Sequence, residues 1–141
     1  MKNIFEQRVF YSDTDSYGVV WHGSYLRWLE MGRVYWTEMK GLSLIDLVEN
    51  QDIALPVTNL SVKYKSSARL DDIVVVETEV VSFNGLTAVF KQFIKSKETG
   101  KTFVEAEVSV VAINNSGKLY RRMPQIVAEK FDEELKCPAL V

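Results

Sequence analysis

The residues best suited to do chemistry lie in one stretch of this 141-residue chain, YSDTDSYGVVWHGSYLRWLEMGR, residues 11–33. It places Asp13, Asp15 and the single histidine of the chain, His22, between an apolar strand and an apolar helix. A positioned carboxylate can act as a general base or as a nucleophile. Aspartate is also favoured in turns, so the spacing alone leaves both a catalytic and a turn-forming role open.

Other common catalytic sites have little support in the composition. One histidine and one cysteine, Cys137, are too few for a zinc site of the usual kind and exclude an internal disulfide. The chain has no G-x-S-x-G motif, and Cys137 sits in a short tail beside a proline, which argues against a serine or cysteine triad. Carboxylate chemistry remains, with no metal and no cofactor implied.

Length and composition predict one globular domain that spans residues 1–141. The chain is 47% hydrophobic and 26% charged, which is typical of globular proteins with a single core. Its net charge is −2 and its acidic and basic residues are interspersed, which argues against nucleic acid as a partner. No signal peptide and no transmembrane segment is apparent, so the sequence predicts a cytoplasmic protein.

The hydrophobic patterning predicts an α+β fold. A long, largely apolar helix begins at Ser24, a plausible N-cap, and ends near Gly41. Leu60, Val62 and Tyr64 alternate with polar residues, as in a half-buried strand. The long helix is expected to pack on one concave face of an antiparallel sheet. The other predicted elements are strands at 4–11, 72–83, 86–97, 102–114 and 118–121, and helices at 43–50 and 123–135.

The stretch D-T-D-S-Y-G-V-V-W-H-G-S-Y-L, followed by Glu30 and Arg33, resembles the signature of the hotdog-fold acyl-CoA thioesterases. The similarity is to the branch that includes 4-hydroxybenzoyl-CoA thioesterase and the Tol-Pal-associated, YbgC-like thioesterases. It implies a sheet wrapped around one central helix, and a homodimer or homotetramer whose active sites form between subunits. Tyr17, Trp21 and Ser24 differ from the residues usual in this family.

The resemblance assigns roles to individual residues. Asp15 takes the position of the catalytic carboxylate, as general base or nucleophile, and Asp13 that of a supporting residue. His22 and Gly23 lie where the loop enters the helix, and their backbone N–H groups are the natural donors to a developing oxyanion. Ion pairs within the helix are the default for Glu30, which lies between Arg27 and Arg33. The residues expected to bind substrate are Tyr17, Trp21, Tyr25, Glu30, Lys65 and Arg69.

The function implied is hydrolysis of an acyl-CoA or aroyl-CoA thioester to free acid and coenzyme A. Three alternatives stay open at this point. The substrate could be carried by an acyl carrier protein, or could be an aroyl-CoA of a quinone pathway. The chain could also be a non-catalytic sensor that binds acyl-CoA in the same pocket.

Overall fold

A computed structural model describes residues 1–136, and Cys137 lies outside this range. The chain begins with one strand and a long helix, continues through a short helix and a run of four strands, and closes with a helix. The elements are β1 (Asn3–Arg8), α1 (His22–Met39), α2 (Leu44–Asn50), β2 (Val57–Tyr64), β3 (Ile73–Phe83), β4 (Ala88–Ser96), β5 (Thr102–Val110) and α3 (Gln125–Lys136).

The strands form one antiparallel sheet in the order β1-β3-β4-β5-β2. Two hairpins join β3 to β4 and β4 to β5, as the turn residues between the predicted strands suggested. β2 precedes this meander in the chain but pairs with its last strand, with Val62 opposite Ala106. β1 and β2 are therefore the two edges of the sheet.

The core lies between α1 and one face of the sheet. Alternate residues of β3, from Val74 to Val80, are buried beneath the helix, as the period of two in a strand requires. Trp28, Leu29 and Trp36 of α1 are fully buried against this face. The Trp36 ring also stacks on Phe131 of α3 at 5.4 Å between ring centroids. The predicted α+β architecture is confirmed.

Several predicted boundaries were wrong for local reasons. The N-cap of α1 is Trp21 rather than Ser24, because the Ser24 hydroxyl donates to the Asp13 carbonyl oxygen at 3.1 Å. The first strand ends at Arg8, three residues early, and a 3-10 turn over Tyr11–Asp13 follows. The strand expected at 118–121 is reduced to a single bridge between Leu119 and Ile113.

The outer strand β2 is less buried than its alternation indicated. Leu60 and Tyr64 keep 44% and 48% of their surface exposed, and of the three expected inward residues only Val62 is partly buried. Within residues 1–136, β2 pairs on one side only, with β5. This part of the chain thus leaves an apolar strand edge uncovered.

Candidate active site

The loop between β1 and α1 folds back on itself as a short antiparallel ladder. The Asp15 N–H donates to Val19 O at 2.9 Å, Thr14 bridges Val20, and the Trp21 N–H donates to Asp13 O at 2.8 Å. Gly18 closes the tip with a φ of +77°, a conformation that glycine adopts at little cost. The ladder fixes Asp15 relative to the start of α1.

A second set of backbone contacts ties this loop to the segment before β3. Val20 N–H donates to Ala68 O at 2.9 Å, and Val19 forms a bridge with Arg69. The Tyr25 hydroxyl in turn accepts the Ala68 N–H at 2.8 Å. The segment around Ala68 therefore braces both the loop and the first turn of α1.

Asp13 is a buried carboxylate with a full set of partners. Its side chain accepts the Phe10 N–H at 2.9 Å and the Arg27 guanidinium at 2.6 Å, and only 2% of the residue is exposed. Its carbonyl oxygen also accepts from Trp21 and Ser24. Asp13 thus joins the loop to α1. The local pairing expected for Arg27 with Glu30 is absent within residues 1–136, since Arg27 reaches Asp13 instead.

Asp15 differs from Asp13 in both exposure and bonding. Its residue is half-buried, and its Oδ1 accepts the Tyr17 N–H at 2.8 Å. Its Oδ2 accepts no hydrogen bond from any residue in the range 1–136. One oxygen orients the side chain while the other is available to a water molecule or a substrate.

The first turn of α1 presents two backbone donors beside this loop. The Ser24 N–H donates to Trp21 O, whereas the N–H groups of His22 and Gly23 have no partner among the described residues. A helix N-terminus carries unpaired N–H groups and the positive end of the helix dipole. The pair of amides is suited to binding an oxygen that gains negative charge.

Aromatic side chains surround the start of α1. The indole of Trp21 lies on the Cα of Gly23 so closely that a Cβ there would stand 2.1 Å from the ring. The His22 ring centroid is 5.2 Å from that of Trp21 and 6.3 Å from that of Tyr64. Trp21 keeps 51% of its surface exposed, so the rings form a wall that solvent or a ligand can reach.

The residues predicted to bind substrate lie in different surroundings. Tyr17 is 86% exposed at the loop tip, whereas Tyr25 is buried and its hydroxyl is bound by Ala68. Burial raises the pKa of the Tyr25 hydroxyl, although the Ala68 N–H lowers it in part. Arg69 is exposed beside the loop, and Lys65 is paired with Glu105 at 3.0 Å on the outer face of the sheet. Direct contact of these residues with a substrate stays a prediction.

A cavity of about 250 Å³ lies beside the second half of α1 and the start of β2. Glu30 is on its wall, and the role in substrate binding that the resemblance implied for Glu30 stays a prediction. Arg33 is on the same wall, and its Nη1 donates to Gln92 Oε1 at 3.0 Å. Sequence reasoning missed Gln92, although a lone polar residue on the inward face of β4 was a usable signal. The residues around the cavity include Glu30, Arg33, Val34, Leu55, Phe90 and Val110.

Residues 1–136 contain neither a cluster of metal ligands nor a helix that could span a membrane. No group of three or more His, Cys, Asp or Glu side chains there is placed to hold a metal ion. None of the helices in that range combines the length and the hydropathy that a membrane span requires.

Comparison with known proteins shows the family to which the chain belongs. The family model of the thioesterase-like superfamily matches residues 9–131, and the chain belongs to that superfamily. The fold is the hotdog fold, shared with the 1,4-dihydroxy-2-naphthoyl-CoA thioesterase Slr0204 from Synechocystis. The two structures align with a TM-score of 0.85 at 22% identity, and the alignment covers 94% of this chain and 97% of the Slr0204 chain.

Individual relatives narrow the comparison. The acyl-CoA thioester hydrolase YbgC of Escherichia coli O6:H1 is 34% identical over 126 residues, which are 89% of this chain and 92% of YbgC. The structure of a DHNA-CoA thioesterase from Staphylococcus aureus is 29% identical, with a TM-score of 0.83. The alignment covers 95% of this chain and 88% of the Staphylococcus aureus chain. The chain is thus similar to thioester hydrolases over nearly its whole length.

Proposed function

We propose that the chain hydrolyses the thioester of an acyl-CoA or aroyl-CoA to the free acid and coenzyme A. Membership of the thioesterase-like superfamily supports a thioester as the bond that is cleaved. The similarity to an acyl-CoA thioester hydrolase supports coenzyme A as the thiol. The observation that carries the proposal joins two features of residues 1–136. The half-buried Asp15 carboxylate has one oxygen without a hydrogen-bond donor there, and two N–H groups at the start of α1 have no acceptor there.

The proposed reaction uses these groups in one of two ways. As a general base, Asp15 takes a proton from water while the water oxygen attacks the thioester carbonyl carbon. As a nucleophile, a carboxylate oxygen of Asp15 attacks that carbon, forms a mixed anhydride, and water then hydrolyses it. In both routes the carbonyl oxygen gains negative charge, which the N–H groups of His22 and Gly23 stabilise. The C–S bond breaks, and coenzyme A leaves as a thiolate that is then protonated.

The substrate-binding residues are proposed in two groups. Trp21 at the start of α1, Tyr17 at the loop tip and Tyr25 in α1 would border the thioester. Glu30 lines the cavity that would take the acyl group. Lys65 and Arg69 would hold phosphates of coenzyme A. Arg69 has the stronger support, because it is exposed and next to the loop, whereas Lys65 is already paired with Glu105.

A homodimer is proposed as the active unit, with a homotetramer built from two such dimers. The support is the edge of β2, where Leu60 and Tyr64 are exposed and the strand has only one neighbour among residues 1–136. Val57, at the start of this strand, also lines the cavity beside α1. Pairing of two β2 edges would cover the apolar strand and enclose the cavity. A cytoplasmic location remains a prediction.

The test is release of free thiol from a panel of acyl-CoA and aroyl-CoA thioesters. We expect Asp15→Asn to lower kcat by at least about 10²-fold, because it removes the base or nucleophile at nearly constant shape. Asp132→Asn, on α3 and away from the loop, is the matched control and should keep wild-type turnover.

The same assay separates the alternatives. If thioesters of acyl carrier protein are hydrolysed in preference to those of coenzyme A, the natural substrate is carried by an acyl carrier protein. Tight acyl-CoA binding by the wild type without thiol release would indicate a sensor. Near-wild-type turnover by Asp15→Asn would remove Asp15 from the mechanism.

A further inference from the structure

The cavity beside α1 has a charged donor in an otherwise largely apolar wall. Arg33 is mostly buried, and it shares the cavity with Val34, Leu55, Phe90 and Val110. Burial lowers the pKa of the Arg33 guanidinium, and the nearby charge of Glu30 raises it in part. An arginine remains protonated in proteins, so this wall carries a positive charge with five N–H donors.

The guanidinium is fixed from behind by a fully buried amide. Gln92 donates from Nε2 to Leu29 O and to Thr78 Oγ1, both at 2.8 Å, which uses its two N–H bonds. Its Oε1 is therefore turned to Arg33. Gly32 permits this approach, because a Cβ there would stand 2.5 Å from Thr78 Oγ1 and 2.9 Å from Gln92 Nε2.

The other donors of Arg33 have no acceptor within residues 1–136. Nη1 bonds to Gln92, and no further hydrogen bond or ion pair of the guanidinium is formed there. Glu30 lines the same cavity without forming an ion pair to Arg33, and the Thr37 hydroxyl donates to Val34 O at 2.7 Å. Most donors of this partly buried guanidinium have no acceptor among the described residues, so an oxygen atom brought into the cavity would be stabilised there.

We propose that Arg33 is a specificity-determining residue that binds an oxygen substituent on the acyl group of the substrate. The preferred acyl group would carry a hydroxyl, which accepts from Arg33 and can donate to Glu30. A hydrocarbon acyl group of the same length would leave the guanidinium without an acceptor. This inference rests on the proposed thioesterase function and adds a substrate class to it.

The helix sets the distance at which the substituent is needed. Glu30 is eight residues and Arg33 eleven residues after His22, or about 12 Å and 17 Å along the axis at 1.5 Å per residue. Helical side chains lean toward the N-terminus by about one turn, which brings the guanidinium to a level about 11 Å from His22. The cavity is also larger than the ~150 Å³ that holds benzene in an engineered apolar site. A medium-length acyl group fits both measures.

The test compares pairs of thioesters that differ only in a terminal hydroxyl. Hexanoyl-, octanoyl- and decanoyl-CoA are each assayed against the ω-hydroxy counterpart, and the ratio of kcat/KM is taken within each pair. For the wild type we expect one length at which the hydroxylated thioester is favoured by about 10-fold or more, because hydrogen bonds to charged donors discriminate strongly. In Arg33→Met the ratio should fall to about one, since the hydroxyl oxygen then loses its charged donor.

Controls keep the outcome interpretable. Arg121→Met removes an exposed arginine outside the cavity and should leave the wild-type ratio unchanged. Thermal melts establish whether Arg33→Met is folded, and if it is not, the wild-type ratios decide. Wild-type hydrolysis with no length favouring the hydroxyl, or a preference that a folded Arg33→Met retains, overturns the inference and leaves the thioesterase function standing. Failure of the wild type to hydrolyse either member of any pair overturns the inference, and failure on the whole panel of acyl-CoA and aroyl-CoA thioesters overturns the thioesterase function as well.

Discussion

The guanidinium of Arg27 lies 2.6 Å from the Asp13 carboxylate, and this contact joins the second turn of α1 to the loop that precedes the helix. The two ends of the pair differ, because the Asp13 side chain is 2% exposed and the Arg27 side chain 58%. The carboxylate also accepts the Phe10 N–H. The loop that presents Asp15 is therefore held to the helix by a partly buried charge pair.

Replacing Arg27 by Met should lower the free energy of unfolding by about 1–3 kcal/mol. The cost arises because the buried Asp13 carboxylate loses its charged donor. Urea denaturation measures the change. Arg8→Met is the matched control, since Arg8 pairs with Asp71 at 2.8 Å where both side chains are well exposed. Its cost should stay below about 1 kcal/mol, and equal losses for the two variants would refute the role given to burial.

Gly23→Ala should displace the indole of Trp21. Alanine is favoured over glycine in a helix by about 1 kcal/mol, but here its Cβ would overlap the ring. We expect a shift in tryptophan fluorescence and a stability gain smaller than this value. In a Trp21→Ala background the same substitution should give the full gain. A double-mutant cycle with no coupling between the two positions would contradict the packing described.

Gly32→Ala should destabilise the protein although it also improves helix propensity. The new Cβ meets Thr78 Oγ1 and Gln92 Nε2 beneath the middle of α1, where nothing can move into solvent. Overpacking of this kind costs about 1–3 kcal/mol. Combination with Thr78→Ala should recover part of the loss, as measured by thermal or urea unfolding. A stabilised Gly32→Ala single variant would show that the helix can shift away from the sheet.

The contribution of Glu105 to the stability of the folded protein should vary with pH in the acid range. Hydrogen bonds from Lys91 and then Lys65 lower the pKa of its carboxyl from 4.5 to about 2. A carboxyl whose pKa is depressed by folding stabilises the folded state above the unfolded pKa. That contribution should be lost as pH falls from about 4.5 to about 2. NMR titration of the carboxyl carbon should show a midpoint near 2, which Lys91→Met moves upward. An ordinary midpoint in the wild type would show that the pairs do not persist in solution.

The order of elements could be predicted from the sequence because each main strand shows alternating apolar and polar residues, and the connections between strands contain turn-forming residues. The β3–β4 and β4–β5 hairpins follow from Asn84-Gly85 and from Glu98-Thr99-Gly100, which lie in the connections between these strands. Asp15 and the start of α1 could be singled out because polar residues interrupt two apolar segments there.

The side-chain partners could not be predicted, because they depend on which groups meet after folding. Ser24 and Arg27 both looked like residues with local helical roles, as a cap and as half of an ion pair with Glu30. Each instead bonds to Asp13, which the loop ladder brings back to the helix. The partners of Gln92 were unpredictable for the same reason, since all three come from α1 and β3.

The hydrogen bonds that converge on Gln92 also constrain how the protein can move. They join α1 to the sheet near the helix midpoint, at Gly32, where the missing Cβ lets the side chains of Thr78 and Gln92 approach the helix. Axial sliding of the helix would sever them together, so α1 acts as the stationary frame of the molecule. Because Arg27 and the Asp13 carboxylate tie the preceding loop to the same helix, we expect the loop and α1 to move as one unit.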